Sequence, residues 1–340
     1  MSSLTDNDRQ YYFFLTETQS PTQYNLCRYL QEQGWSSSHL EEQADFGEGN
    51  LHFNLQAAEQ LEFKHRLAEL VHKFCSAVMP LTYCINDQNW PSVLQDIADK
   101  YYRHGWQYLD QIDNLVWILK PALLNNGKEI KIFQKLSELE QHFLSNKRLG
   151  GEQVLQRYLT EPHLLRDRHK YSIRMFVVLT NYAGVYLYPQ GYFNVALHPF
   201  EPKNFIDLRP HLTNEHLSHE EANVVQIPAQ RFATFTVFYP LIKSILAEIM
   251  RGLQQLYPQA FVCDKRRELA IFGFDFMVDK DQRLWLLEAN HGPCFPIDDE
   301  HPLQKYLYYD FWQAFIASFV MPIATECTIE QIQYQQFEPI

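Results

Sequence analysis

Three stretches of the 340-residue chain carry residue types whose spacing could do chemistry. The first runs Ile271-Phe272-Gly273-Phe274-Asp275-Phe276-Met277-Val278, then Asp279-Lys280-Asp281-Gln282, then Leu284-Trp285-Leu286-Leu287-Glu288-Ala289-Asn290. Strand side chains alternate between faces, which sets Phe272, Phe274, Phe276 and Val278 against Gly273, Asp275 and Met277. An even turn centred between Lys280 and Asp281 puts Asp275 opposite Leu286. Glu288 is then its diagonal neighbour on the same face, roughly 7–8 Å away, and Asn290 continues that face. Two carboxylates and an amide so placed make an all-oxygen set suited to Mg2+. The alternative is a solvated hairpin face carrying ordinary acids; the apolar residues around both carboxylates argue against it. A one-residue change of loop length would send Asp275 and Glu288 to opposite faces.

The second stretch is Lys120-Pro121 at a strand end, followed by Asn125-Asn126-Gly127-Lys128-Glu129-Ile130. A lysine there can hold phosphate as a point charge while loop N–H groups cradle it. A single glycine also serves a plain turn, and the G-x-x-x-x-G-K-[ST] spacing is absent. In the third stretch Lys170, Ser172 and Arg174 alternate on one strand face, which fits either a bound anion or cross-strand salt bridges. His211, His216 and His219 lack H-E-x-x-H spacing and read as solvated loop histidines, not zinc ligands.

The elements that must hold these residues follow from periodicity. A short strand at Tyr11–Leu15 precedes a turn at Ser20-Pro21 and a helix over Asn25–Gln33 that stops at Gly34. Phe63, Leu67, Leu70, Val71, Phe74 and Val78 form an apolar stripe that predicts one helix over 55–79, ended by Pro80. A helical stretch at Trp90–Gly105 leads to a hairpin over 115–133, a helix over 135–146 and a break at Gly150-Gly151. Strands follow at Val154–Leu159, Ser172–Thr180 and Val185–Tyr188. A helix over Phe238–Leu256, the 270–290 hairpin and an aromatic helix at 306–320 complete the pattern. Helices and strands mix without strict βαβ alternation, so the fold class is α+β with mainly antiparallel sheets.

Composition narrows the function classes. Lys and Arg number 29 against 41 Asp and Glu, and the net charge of −12 argues against a general nucleic-acid binder. At 46% hydrophobic and 15% aromatic residues the chain can bury a large core, which excludes low-complexity disorder for most of its length. No apolar run approaches the ~18–20 residues of a membrane span, and the first residues lack the pattern of a signal peptide. Cys27, Cys75, Cys84, Cys263, Cys294 and Cys327 form no C-x-x-C pair and read as buried thiols of a cytoplasmic, enzyme-sized protein.

Ordered motifs add a resemblance. Val116-Trp117-Ile118-Leu119-Lys120, the segment Gly127 to Ile130, Val154 to Pro162, Lys170-Tyr171-Ser172-Ile173-Arg174, Val185-Tyr186-Leu187-Tyr188, His211-Leu212-Thr213-Asn214, Phe272 to Asp279 and Trp285 to Asn290 occur in turn. Over about 115–295 the chain resembles the tubulin–tyrosine ligase family of ATP-grasp ligases. The resemblance implies a small α/β N-terminal domain over 1–80, a central ATP-grasp lobe over 81–165 and a C-terminal lobe over 166–340. It implies ATP and Mg2+ as cofactors, an amino acid donor, and a protein or peptide carboxylate acceptor joined through an acylphosphate, with release of ADP and phosphate. Lys120, Gly127 and Ile130 would meet the phosphates. Gln156, Arg157, Tyr158 and Leu159 would read adenine, with Met277 packed under the base and Thr213 and Asn214 in nucleotide contact. Lys170 and Arg174 would act at the phosphates and the activated carboxylate, and Asp275, Glu288 and Asn290 would hold the metal, with Glu288 central to catalysis.

Three positions depart from the family pattern. Glu129 replaces the second glycine of G-x-G-I, Ser172 the aspartate of K-F-D-I-R, and Asn194 an arginine implicated in substrate binding. The donor therefore stays open. Two other readings stay open as well: a nucleotide-binding interaction protein without catalysis, and a ligase for a small metabolite. The family's tubulin acceptor has acidic tails, which an acidic chain without a Lys/Arg run is poorly suited to attract. The chain reads as a monomer.

Overall fold

A computed structural model describes residues 9–16, 20–75, 77–102, 115–124, 127–215, 217 and 222–340. The first elements are β1 (Tyr12–Phe14), α1 (Pro21–Glu32), β2 (Ser36–Ser37) and β3 (Phe46–Gly47), with the strands in a parallel sheet ordered β2-β1-β3. Helix α1 starts earlier than its apolar stripe because Ser20 caps it and Pro21 occupies its first position, a site where a missing N–H costs nothing.

The single helix expected over 55–79 is two, α2 (Leu55–Glu62) and α3 (Lys64–Phe74), parted by an extended Phe63 with φ −79° and ψ 118°. The break takes the Lys64 N–H out of the helical ladder, and it donates to Ala122 O at 3.3 Å. Leu67, Leu70 and Val71 keep the expected buried stripe, while Val78 is buried beyond the helix end.

A four-stranded antiparallel sheet follows, ordered β4-β7-β5-β6, from β4 (Thr82–Ile85), β5 (Trp117–Pro121), β6 (Lys131–Phe133) and β7 (Gln153–Arg157). Its helices are α4 (Trp90–Tyr102) and α5 (Leu136–Leu144). Alternation divides β5: Trp117 and Leu119 join Leu94, Ile97, Leu139 and Phe143 in a core, and Ile118 and Lys120 face the other way.

The larger sheet is antiparallel, ordered β10-β9-β8-β11-β12 with β13 (Glu338–Pro339) beside β9. Its strands are β8 (His169–Thr180), β9 (Gly184–Pro199), β10 (Val224–Pro228), β11 (Leu269–Val278) and β12 (Leu284–His291). One face packs on α2, α3 and α6 (Phe235–Leu256) through Tyr171, Ile173, Met175, Phe272, Phe274 and Phe276. One end of the other face, Phe176, Val178, Leu269 and Ile271, packs on α1, the parallel sheet and α7 (Tyr309–Phe315), which π-turns at Gln304–Tyr308 and Ile316–Val320 flank. The remaining end of that face carries Lys170, Ser172, Arg174, Asp275 and Met277 and looks into a cavity shared with β5 and β7. Among the described residues no helix is long and apolar enough to cross a membrane.

Candidate active site

The nucleotide, catalytic and metal candidates implied by the resemblance, from Lys120 and Gly127 to Glu288 and Asn290, all line one cavity of about 270 Å3. Its floor is a grid. One row crosses four strands in register: Glu288 on β12, Asp275 on β11, Arg174 on β8 and Tyr192 on β9. A neighbouring row joins Ser172 on β8, Asn194 on β9 and Gln226 on β10.

The carboxylates meet by a different route from the diagonal one expected. The turn is one residue longer than an even loop, since Val278 pairs with Leu284 and Phe276 with Leu286. Alone, that shift would turn Glu288 into the core. A β-bulge between Asp275 and Phe276 restores the face by making Leu287 the extra residue, so Asp275 lies directly opposite Glu288. Both Leu287 and Glu288 then line the cavity.

Arg174 grips Asp275 with two bonds, Nε to Oδ1 and Nη2 to Oδ2, each 2.6 Å. The salt-bridge reading of the β8 cations thus holds for Arg174. Gly273 makes room for it, because a Cβ there would sit 2.8 Å from Arg174 Cδ. Asn290 Nδ2 donates to Asp275 Oδ2 at 3.2 Å, and Lys64 Nζ lies 3.8 Å from Glu288 Oε2.

The two buried lysines hold different partners. Lys120 donates to Gln156 Oε1 at 3.0 Å, and Gln156 donates on to Thr82 Oγ1. Lys170 donates to Tyr158 OH and to His211 O, both at 2.8 Å, with Nζ 4.3 Å from the Tyr158 ring centroid. His211 is buried, unlike the solvated loop residue expected. Its Nε2 faces Asn204 O at 2.6 Å and its Nδ1 faces Tyr158 OH at 2.8 Å. The carbonyl can only accept, so Nε2 donates and Nδ1 accepts from the tyrosine. Both ring nitrogens are used, and no group of three His, Cys, Asp or Glu side chains placed to share a metal ion exists among the described residues. His216 and His219 lie outside those residues, as do Asn125 and Asn126 of the phosphate-loop candidate.

Gly127 lies at φ +70°, and a Cβ on it would come within 2.9 Å of Leu217 Cδ2, with Asn214 beside it. The exposed Glu129, at φ +57°, does not line the cavity, so its charge is turned from the site. Arg157, Tyr158 and Leu159 form the chain segment leaving β7 along the cavity wall, and Ile130, Thr213, Asn214 and Met277 complete that wall.

Burial governs the charges. It lowers the Lys120 pKa to about 8 against the pull of Glu288 and Asp275, and lowers Lys170 to about 7 with help from Lys120. Asp275 is raised, by burial first and then by Glu288 facing it, against Arg174. Burial pushes Glu288 the same way, but Lys64, Lys120 and Arg174 outweigh it and its pKa is lowered. The row thus offers Glu288 as the firmer anion.

The donor set suits a hard cation. Asp275 and Glu288 supply carboxylate oxygens, and Asn290, using its amide nitrogen toward Asp275, has Oδ1 left to give. Sequence reasoning missed Lys64, Tyr192, Glu215 and Gln226, which also line the cavity. Lys64 had only a weak signal, as one of two cations, with Arg66, at the start of the apolar stripe; Tyr192 and Gln226 became visible through strand pairing and Glu215 only through the tertiary fold.

A profile of the tubulin-tyrosine ligase family matches residues 58–327. The "Probable tubulin polyglutamylase TTLL2" of Mus musculus is 28% identical over 199 residues, 54% of this chain and 35% of that protein. "Tubulin glycylase 3D" of Tetrahymena thermophila is 26% identical over 203 residues, 54% of this chain and 19% of its own length. "Protein monoglycylase TTLL8" of Homo sapiens is 24% identical over 252 residues, covering 66% of this chain and 29% of that one. The chain therefore spans about a third or less of the length of these relatives. The chain belongs to the tubulin-tyrosine ligase family.

Proposed function

We propose that this chain is an ATP-dependent carboxylate–amine ligase of ATP-grasp architecture that attaches an amino acid to a protein or peptide. Residues 81–165 and 166–340 are its two lobes, and 1–80 a small N-terminal domain. One observation carries the reading: Glu288, Asp275 and Arg174 share a register row in the cavity that also holds Lys120 and Lys170.

An acceptor carboxylate oxygen takes the γ-phosphoryl group of ATP, the bond to ADP breaking as the new P–O bond forms. An amine then attacks the acyl carbon, loses a proton, and expels phosphate as the amide forms. No protein nucleophile enters either step. The segment Gln156 to Leu159 borders the adenine, Met277 packs beneath it, and Thr213 and Asn214 flank the nucleotide. Lys64, Lys120 and the Gly127–Ile130 loop face the phosphates, while Lys170 and Arg174 serve the developing charge at the acyl centre. Asp275, Glu288 and Asn290 would hold Mg2+, which would supply neutralisation of phosphate charge. Relatives are named for glutamate or glycine addition to tubulin, which makes tubulin the first acceptor to test.

The test combines Mg2+-dependent ATP binding with release of ADP and phosphate when tubulin and labelled amino acids are supplied. Glu288→Gln is expected to cut turnover by about 100-fold or more with the fold intact. Full activity in that variant, or release of AMP and pyrophosphate, overturns the reading. A second reading, nucleotide binding without catalysis, is favoured by the grip of Arg174 on both Asp275 oxygens. Binding with no turnover on any acceptor selects it.

A further inference from the structure

His211 holds Lys170 from two sides. Lys170 Nζ donates to His211 O and to Tyr158 OH, each at 2.8 Å. Tyr158 OH in turn meets His211 Nδ1 at 2.8 Å, so the imidazole reaches the lysine through the tyrosine. The imidazole is itself fixed: Nε2 donates to Asn204 O at 2.6 Å, and the Phe200 and Phe205 rings pack on it at centroid distances of 5.4 and 4.8 Å. Lys170, His211 and Tyr158 are all buried, which shields these bonds from competing water.

Proton counting sets the direction of each bond. With the imidazole proton on Nε2, Nδ1 can only accept, and it takes the one proton the Tyr158 hydroxyl has. The hydroxyl therefore shows Lys170 lone pairs alone, as the His211 carbonyl does. Two of the three ammonium N–H groups are thereby placed, and the third is left for the cavity that Lys170 lines. A neutral amine would turn a lone pair that way and repel an anion's oxygen. Burial and Lys120 both push Lys170 toward this neutral form. Burial and the charge of Lys170 keep the His211 imidazole neutral, against Asn204 O, Asp207 and Glu201. Among the described residues, the titratable groups set around Lys170 are thus Lys120 on β5, Tyr158 after β7 and His211 after β9.

We propose that His211 is a positioning residue: by fixing the Tyr158 hydroxyl as an acceptor, it keeps Lys170 protonated and aimed into the cavity. This rests on the ligase reading for the identity of the anion that Lys170 meets. It also gives the Tyr158 side chain a task separate from that of the backbone beside the adenine.

The experiment follows the Lys170 titration in the full chain by NMR with 13C-labelled lysine, the signal being identified by its absence in Lys170→Met. His211→Phe keeps a ring between Phe200 and Phe205 but removes the acceptor. The Tyr158 proton then turns to the Lys170 nitrogen, which accepts it only as a neutral amine, so the lysine midpoint should fall by at least about one unit. His211→Asn, whose amide oxygen can take the place of Nδ1, should keep the midpoint within about half a unit of the parent. Tyr158→Phe should lower the midpoint as His211→Phe does, and it carries the test if His211→Phe does not fold. An unchanged midpoint in either folded phenylalanine variant overturns the proposal. A one-unit fall also predicts that His211→Phe weakens Mg·ATP binding by about tenfold at pH 8 and only about twofold at pH 6. Equal weakening at the two pH values marks a purely structural role and overturns it. A parent chain that binds no ATP removes the ligase reading, while the lysine midpoints still decide the role of His211.

Discussion

Lys120 and Lys170 are cations placed where a cation is hard to keep. Their burial lowers both pKa values, to about 8 and about 7, so near pH 8 the free chain holds them partly neutral. Phosphate oxygens arriving beside them favour the charged form and raise both values. ATP binding at pH 8 should therefore take up roughly one proton per nucleotide. Calorimetry in two buffers of different ionisation enthalpy measures this directly; an enthalpy independent of buffer removes the phosphate role of these lysines. The same shifts set the pH dependence of the free fold. Between pH 7 and the ordinary lysine range the unfolded chain binds more protons than the folded one, so burying Lys170 costs most below that window. Stability from this source rises as pH climbs through it. The lysine types were legible as anion ligands, but their neutralisation was not, because Tyr158, His211 and Gln156 reach them only through the tertiary fold.

At the scale of elements, the β11–β12 hairpin shows how far a periodic pattern carries. Alternation read both faces of β11 from the sequence, and Phe272, Phe274 and Phe276 do enter the core while Asp275 and Met277 face the cavity. The register was not legible: the longer turn and the bulge at Leu287 are each a one-residue departure, and their effects cancel for Glu288. Bulges leave little trace in composition because any residue can be the unpaired one. Deleting Leu287 should close the ladder with Glu288 still opposite Asp275, retaining the fold and weakening Mg2+-dependent ATP binding by less than about tenfold. Deleting Ala289 should instead turn Asn290 toward the Phe274 side and abolish that binding. Equal loss from both deletions would show that the bulge itself, not the face of Glu288 and Asn290, is what the site requires. Strands β4 and β10 were missed for another reason: each is short and half-exposed, with no apolar alternation to mark it.

Across the whole molecule, the cavity joins three parts of the chain that are distant in sequence. The four-stranded sheet gives Lys120 and Gln156, the larger sheet gives the carboxylate row, and the first turn of α3 gives Lys64. Lys64 binds all three together: its N–H donates to Ala122 O, its Nζ donates to Leu124 O at 2.9 Å, and the same Nζ faces Glu288 at 3.8 Å. Such convergence follows from packing α2 and α3 under the large sheet, which no local pattern encodes. It also qualifies the net charge of −12, because Lys64, Lys120, Lys170 and Arg174 all line this one cavity. A nucleotide held by these cations should stabilise the molecule as a unit, by about 2.7 kcal/mol at a hundredfold excess over Kd. Lys64→Met loses the Nζ bond to Leu124 O but keeps the N–H bond to Ala122 O and the core contacts of α3, so its own melting temperature should stay within a few degrees of the parent. The rise in Tm on adding Mg·ATP at a fixed concentration should fall clearly in this variant. Loss of Tm without ligand would mark Lys64 as a structural strut, and an unchanged ligand-induced rise would remove it from the phosphate site.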